Sequence, residues 1–219
     1  MYMHGLSGNL VCLPERSVLA ERVKRSPSKR RSTCLITLSK KNRELIMKRP
    51  RQRVTLPPRI SDNDKRRLRI TPSQTLIAKL LGMCTYGGSS KHKANPRAFG
   101  LPPYQKPRGD ETLCDSHANF QPDQMNSIGA LLSRGMRAGL IGAVETRGIP
   151  SILWTIADNG WIFEGRVSNP AQAVYHGYPV RPSEAIAELV YGRFADWACS
   201  CGGVDDRTAA ANCKALYGF

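Results

Sequence analysis

The 219-residue sequence has no apolar run long enough to cross a bilayer, and its N-terminus has no continuous apolar segment of the signal-peptide type. The sequence therefore predicts a protein without a membrane span or a standard secretory signal, and we expect a cytoplasmic location. Aromatic residues are few, at 7%, within a hydrophobic content of 41%. That content allows one ordinary core but not a core spread along the whole chain.

Several motifs of common enzyme classes are also missing. The sequence has no Gly-x-x-x-x-Gly-Lys-Ser/Thr loop, no Gly-x-Gly-x-x-Gly after a strand, no His-Glu-x-x-His and no Gly-x-Ser-x-Gly. These absences remove the usual support for P-loop hydrolysis, dinucleotide redox chemistry, zincin proteolysis and α/β-hydrolase chemistry. No cofactor is predicted.

The whole chain has 33 Lys and Arg against 17 Asp and Glu, which gives a net charge of +16. Acidic residues are scarce in its first third. Residues 1–73 carry 19 basic and 5 acidic residues, which leaves 14 basic and 12 acidic residues for the rest. A segment of this composition buries too little apolar surface to offset its ordering entropy. We therefore predict that residues 1–70 form a basic, largely disordered N-terminal arm. A true start at Met47 and an Arg- and Ser-rich targeting segment remain alternatives.

Clustered Lys and Arg side chains neutralise phosphates, so the arm predicts non-specific association with RNA or DNA. An acidic protein partner is a further possibility for the same charge. The residues expected to contact phosphates are Lys29, Arg30, Arg31, Lys48, Arg49, Arg51, Arg53, Lys65, Arg66, Arg67 and Arg69.

Residues 71–219 have the capped, periodic segments of a folded domain. A helix is predicted to begin after Thr71 as N-cap and to end at Gly82, and 85–123 reads as a long ordered loop. The remaining elements are a helix over 124–138, a β-hairpin over 151–168 with a two-residue type I′ turn at Asn159-Gly160, and helices over 184–197 and from Asp205 or Asp206 to Ala215. This order predicts an α+β domain, with a central β-hairpin and several short helices, rather than a parallel α/β sheet.

Seven cysteines at wide spacing, without a secretory signal, favour reduced thiols. Cys114, His117, Cys199 and Cys201 together would supply a Cys3His zinc set, but Cys-x-Cys is a poor match to the usual Cys-x2-Cys spacing. We therefore predict no metal site and keep zinc as an alternative.

Three histidines, His92, His117 and His176, fall in loop-like contexts beside basic or polar residues. Metal-independent cleavage of RNA needs a base for the 2′-hydroxyl, an acid for the leaving oxygen and a cation for the phosphorane charge. The catalytic candidates are His92, His176, Glu164 and Lys91, although Glu164 would equally suit the solvent face of a strand. We expect any site to lie where the 91–117 loop meets Glu164 and the segment 175–178, which reads as a turn.

These features favour a nucleic-acid-associated protein that binds phosphates through its basic arm. Two alternatives remain: a metal-independent ribonuclease that uses the loop histidines, and a protein-interaction module. The sequence does not decide between RNA and DNA, or indicate sequence specificity or oligomeric state.

Overall fold

A computed structural model of the chain describes residues 66–105 and 111–219. Within these residues the α-helices are α1 (Gln74–Met83), α2 (Ile128–Arg137), α3 (Ile186–Ser200) and α4 (Val204–Tyr217). The strands are β1 (Thr85–Tyr86), β2 (Glu145–Thr146), β3 (Ile149–Pro150), β4 (Ile152–Ile156), β5 (Ile162–Asn169) and β6 (Val174–Pro179). Short 3-10 helices span Ser90–His92, Pro96–Phe99 and Pro122–Ser127. Helices combined with a mixed sheet confirm the α+β class.

The main sheet has the strand order β1-β6-β5-β4, in which β1 runs parallel to β6 and the other pairs are antiparallel. Successive side chains of a strand point to opposite faces, so neighbouring residues of β4 belong to different cores. Trp154 packs with buried residues of α3 and α4, whereas Leu153 packs with buried residues of α1 and α2. Helices therefore cover both faces of the sheet at β4.

The connection from β4 to β5 differs from the predicted type I′ turn. Gly160 has φ 87°, but Asn159 is not among the residues with positive φ. The Gly160 amide donates to the Ala157 carbonyl at 2.8 Å, and the Ala157 amide donates to the Trp161 carbonyl at 3.0 Å. The turn thus has three residues and ends in a glycine with positive φ. The Asn159 side chain in this turn donates a hydrogen bond to the Ala118 carbonyl at 2.9 Å.

Segment 175–178, predicted as a turn, belongs instead to strand β6. It pairs with β5 so that Tyr178 lies opposite Glu164 and His176 lies opposite Arg166. Because these four residues alternate along the two strands, their side chains share one face of the sheet. This strand pairing brings Glu164, Arg166, His176 and Tyr178 together in the site described below.

The predicted arm boundary at residue 70 also requires revision, because residues 66–69 pair with the domain. Leu68 forms an antiparallel bridge with Gly142, and the Arg69 amide donates to the Ile141 carbonyl at 2.8 Å. The Ala143 amide donates to the Arg67 carbonyl at 2.8 Å. The other arm residues expected to bind phosphates, from Lys29 to Lys65, lie outside the described residues.

Helix α1 begins two residues later than predicted. Its N-cap is Ser73, whose hydroxyl accepts a hydrogen bond from the Leu76 amide at 3.2 Å, rather than Thr71. In the part of the chain that the structure describes, no helix has the length and apolar content of a membrane span.

Candidate functional site

Two of the candidate histidines lie against each other. His92 ends the 3-10 helix Ser90–His92, and His176 lies in β6. Their rings are stacked, with centroids 5.7 Å apart and planes 6° from parallel. The Tyr178 ring lies 4.9 Å from the His92 ring. The loop backbone is fastened close by, since the Cys114 amide donates to the His92 carbonyl at 2.9 Å.

Glu164 lies behind this pair and is completely buried. Its carboxylate accepts hydrogen bonds from Tyr178 Oη, from Trp154 Nε1 at 3.0 Å, and from Arg166 Nε at 2.9 Å. Arg66 Nε donates a fourth bond at 2.7 Å. Burial alone would raise the pKa of Glu164, but the charges of Arg66 and Arg166 and the Tyr178 bond outweigh it, so the pKa is lowered.

Glu164 is therefore not on the solvent face of a strand, which the sequence also allowed, and it is not free to act as a catalytic acid or base. Its lone pairs are occupied by four donors and its lowered pKa keeps it ionised, so it has no capacity to take a proton from a substrate. What it does is fix two side chains that face the histidines. Arg166 and Tyr178 are held in place because both donate to the same buried carboxylate.

Arg66 was expected to be a phosphate ligand of a disordered arm, and that expectation is wrong. Its guanidinium forms ion pairs with Glu164 and Glu184, and its side chain is only 12% exposed. Arg69 pairs with Glu145 on the surface, and Arg67 is exposed. The three arginines Arg66, Arg67 and Arg69 thus divide into one buried structural cation and two at the surface.

Both histidines lie in a positive environment. His92 is 7% exposed, and its Nδ1 has no hydrogen-bond partner among the described residues. Burial, followed by the charges of His176, Lys91 and Lys93, lowers the His92 pKa to about 4. Burial, followed by Arg166 and Lys91, lowers the pKa of His176. Both imidazoles are therefore neutral at pH 7, with cations beside them.

The two lysines that flank His92 have different surroundings. Lys91 is partly exposed and pairs with Glu111, with Nζ and Oε1 3.3 Å apart. Lys93 is buried, and its ammonium lies 4.6 Å from the ring centroid of Phe99 and 5.2 Å from that of Phe120. Aromatic faces partly compensate such a cation for its lost hydration. Lys91 is the lysine whose ammonium is accessible to an anion.

The four residues considered as zinc ligands are not brought together. His117 Nδ1 accepts a hydrogen bond from the Leu113 amide at 2.9 Å, and Cys114 is buried with its thiol 3.6 Å from the Gly177 carbonyl. Cys199 and Cys201 are exposed near the end of α3. Over residues 66–105 and 111–219, no three His, Cys, Asp or Glu residues are grouped in a way that would hold a metal ion.

Sequence reasoning missed Arg166. The signal was present as alternation, since Glu164 and Arg166, and likewise His176 and Tyr178, are two residues apart. Reading it required knowing that 174–179 is a strand and how it pairs with β5.

Comparisons of this chain with protein-family models, with curated proteins and with solved structures found no match.

Proposed function

We propose that the protein is a metal-independent ribonuclease whose basic arm supplies much of its affinity for nucleic acid. The observation that carries the proposal is the stacked pair His92 and His176, which lies beside Arg166 and Lys91. Imidazoles with ring centroids 5.7 Å apart are both within hydrogen-bond reach of one phosphodiester placed at their edges. The arm's contribution follows from its charge.

The arrangement supports a transesterification with a defined role for each histidine. Neutral His92 removes the proton of a ribose 2′-hydroxyl, the 2′-oxygen attacks phosphorus, and the P–O5′ bond breaks. The bound phosphate raises the pKa of His176, and the protonated His176 gives its proton to the departing 5′-oxygen. The products are a 2′,3′-cyclic phosphate and a 5′-hydroxyl, and the step consumes no water.

His92 is assigned as the base because it has the more protected ring. Its Nδ1 has no hydrogen-bond partner in the described part of the chain and its low pKa keeps it neutral, but this nitrogen is buried, so the ring has to shift for a 2′-hydroxyl to reach it. His176 lies directly opposite Arg166 on the neighbouring strand, so the two side chains share one face of the sheet and would contact the same phosphate.

Arg166 and Lys91 are proposed to stabilise the charge that develops on the phosphorane. Arg166 suits this role because Glu164 fixes its Nε at 2.9 Å, so the rest of the guanidinium is directed without further loss of side-chain entropy. Glu164 acts through Arg166 and Tyr178 and is a positioning residue.

The proposal is tested with labelled RNA and with DNA of the same sequence, incubated in chelator and analysed by both gel shift and cleavage. RNA cleavage should give cyclic phosphate ends, and DNA should bind without being cut because it lacks the 2′-hydroxyl. His92→Ala and His176→Ala should each lower cleavage by about 10² or more while retaining RNA binding. His117→Ala, which lies in the same loop, is the matched control and should cleave normally.

Other outcomes separate the alternatives. Binding without cleavage would remove the ribonuclease and leave a nucleic-acid-binding protein, whereas neither binding nor cleavage would favour the protein-interaction module. Cleavage that survives in both histidine variants would assign the activity to other residues.

A further inference from the structure

We propose that a pocket next to the histidine pair binds one nucleobase of a single-stranded RNA, adjacent to the phosphate that is cut. This inference rests on the proposed ribonuclease function. The pocket has a volume of about 310 Å³, at the lower end of the range found for small-molecule sites. Its lining includes Lys91, Asn95, Arg97 and Tyr104, with Pro96 and Pro103 as rigid walls.

Lys91 joins the pocket to the histidines. Its side chain lines the pocket, and its positive charge contributes to lowering the pKa of both His92 and His176. Neither histidine lines the pocket, so we place the phosphate at the histidines and Lys91, and the neighbouring base in the pocket. This placement separates a position for chemistry from a position for recognition.

The pocket offers the groups that unpaired bases use. Tyr104 is 37% exposed, and Arg97 is also exposed, so both present flat surfaces on which a base stacks. Asn95 carries an amide that both donates and accepts at a base edge. The Asp115 carboxylate accepts from the Ala94 and Asn95 amides at 2.8 and 2.9 Å, which fixes this wall.

A second cavity reaches His176 from the other face of the sheet but does not suit a base. Its volume is about 50 Å³, and apart from Lys93 its lining is mostly apolar, with Phe120, Leu132 and Leu153 among its walls. A space of that size holds a water molecule or two rather than a nucleobase.

The test uses isothermal titration with the four ribonucleoside monophosphates, and with ribose 5-phosphate as the probe that lacks a base. Mononucleotides should bind at least tenfold more tightly than ribose 5-phosphate. Tyr104→Leu and Arg97→Gln should each weaken mononucleotide binding about tenfold. Arg137→Gln, at an exposed arginine of α2, is the charge-matched control and should bind as the unmodified protein does.

Failure of the pocket is distinguishable from failure of the ribonuclease. If RNA is cut in a His92-dependent way but no mononucleotide binds, or ribose 5-phosphate binds equally well, the base pocket is refuted and the ribonuclease stands. Mononucleotide binding that depends on Tyr104, in a protein that never cleaves RNA, would support the pocket and overturn the ribonuclease.

Discussion

At the scale of single residues, the candidate site is organised by one buried carboxylate. Glu164 is completely buried and accepts four hydrogen bonds, three of them from Arg66, Arg166 and Tyr178. A buried ion pair contributes little net stability compared with an apolar replacement, but removing one partner leaves an uncompensated charge. We therefore expect Glu164 to be more sensitive to substitution than the surface carboxylate Glu145.

The first prediction compares Glu164→Gln with Glu145→Gln. Glu164→Gln should lower the free energy of unfolding by about 3 kcal/mol or more, because Arg66 and Arg166 lose their shared counter-charge. Glu145 pairs with Arg69 at the surface, where both side chains are about a third exposed, so its variant should change stability by less than about 1 kcal/mol. Urea unfolding measures both, and equal effects would contradict the assignment.

The second prediction concerns acid stability. The pKa of His92 is about 4 in the folded protein against 6.5 in an unfolded chain, so the unfolded state binds a proton first as the pH falls. Stability contributed by neutral His92 is present above pH 6.5 and is lost as the pH falls towards 4. Between about pH 7 and pH 5 this loss is about 2 kcal/mol.

His92→Asn should remove that part of the pH dependence, whatever it does to stability at neutral pH. The measurement is the difference in unfolding free energy between the two pH values, for the variant and for the unmodified protein. An unchanged difference would mean that His92 is protonated normally in the folded state.

At the scale of elements, helix α2 contains two glycines with opposite roles. A Cβ at Gly135 would lie 2.0 Å from the Trp154 carbonyl oxygen, which shows that α2 approaches β4 closely at this point. A Cβ at Gly129 would meet nothing within 4 Å. Both glycines lower the helix propensity of this segment, but only Gly129 has room for a larger side chain.

The third prediction is that Gly129→Ala stabilises the protein by up to about 1 kcal/mol, through helix propensity. Gly135→Ala should destabilise it by about 1–3 kcal/mol, because the added methyl forces α2 away from β4. Thermal unfolding of the two variants side by side tests this directly. Stabilisation by Gly135→Ala would mean that the helix and the strand do not approach as described.

The sequence predicts those elements whose signals lie within a few neighbouring residues. The helices over Gln74–Met83 and Ile186–Ser200 are signalled by apolar residues at helical spacing. Their caps are less predictable, since the first has Ser73 rather than Thr71 at its N-cap and the second has Ala185, which makes no side-chain capping bond. Strand β6 carries Gly177 and ends at Pro179, so its local composition reads as a turn. Its strand conformation comes from pairing with β5, a long-range contact that no local pattern contains.

The candidate site was likewise predictable only in part. The residue types for acid–base chemistry select His92 and His176 from the sequence, because imidazole titrates near neutrality. The roles of Glu164 and Arg66 were not predictable, since their pairing joins residues 98 positions apart. Arg66 stands in a run of basic residues, and composition alone assigns it with its neighbours.

At the scale of the whole molecule, the described structure assigns the end of the predicted basic arm to the folded domain. Arg66 balances Glu164 and Glu184, and Leu68 bridges to Gly142, so residues 66–69 belong to the folded domain. If the arm binds phosphates as proposed, the expected contacts from Lys29 to Lys65 lie outside the described residues. Stability and affinity should then respond to different truncations.

The fourth prediction compares a chain that begins at residue 64 with one that begins at residue 71. The longer chain should keep the stability of the full protein, and the shorter should lose about 3–5 kcal/mol because Glu164 loses Arg66. Adding Arg66→Gln to the longer chain should reproduce most of that loss. Both truncations should lose most of the RNA affinity, the shorter chain somewhat more because it also lacks Lys65 and Arg67, and with it a salt dependence of about −0.7 in log K per log salt for each phosphate contact. Equal stability of the two chains would remove Arg66 from the folded domain, and unchanged RNA affinity would remove the arm from binding.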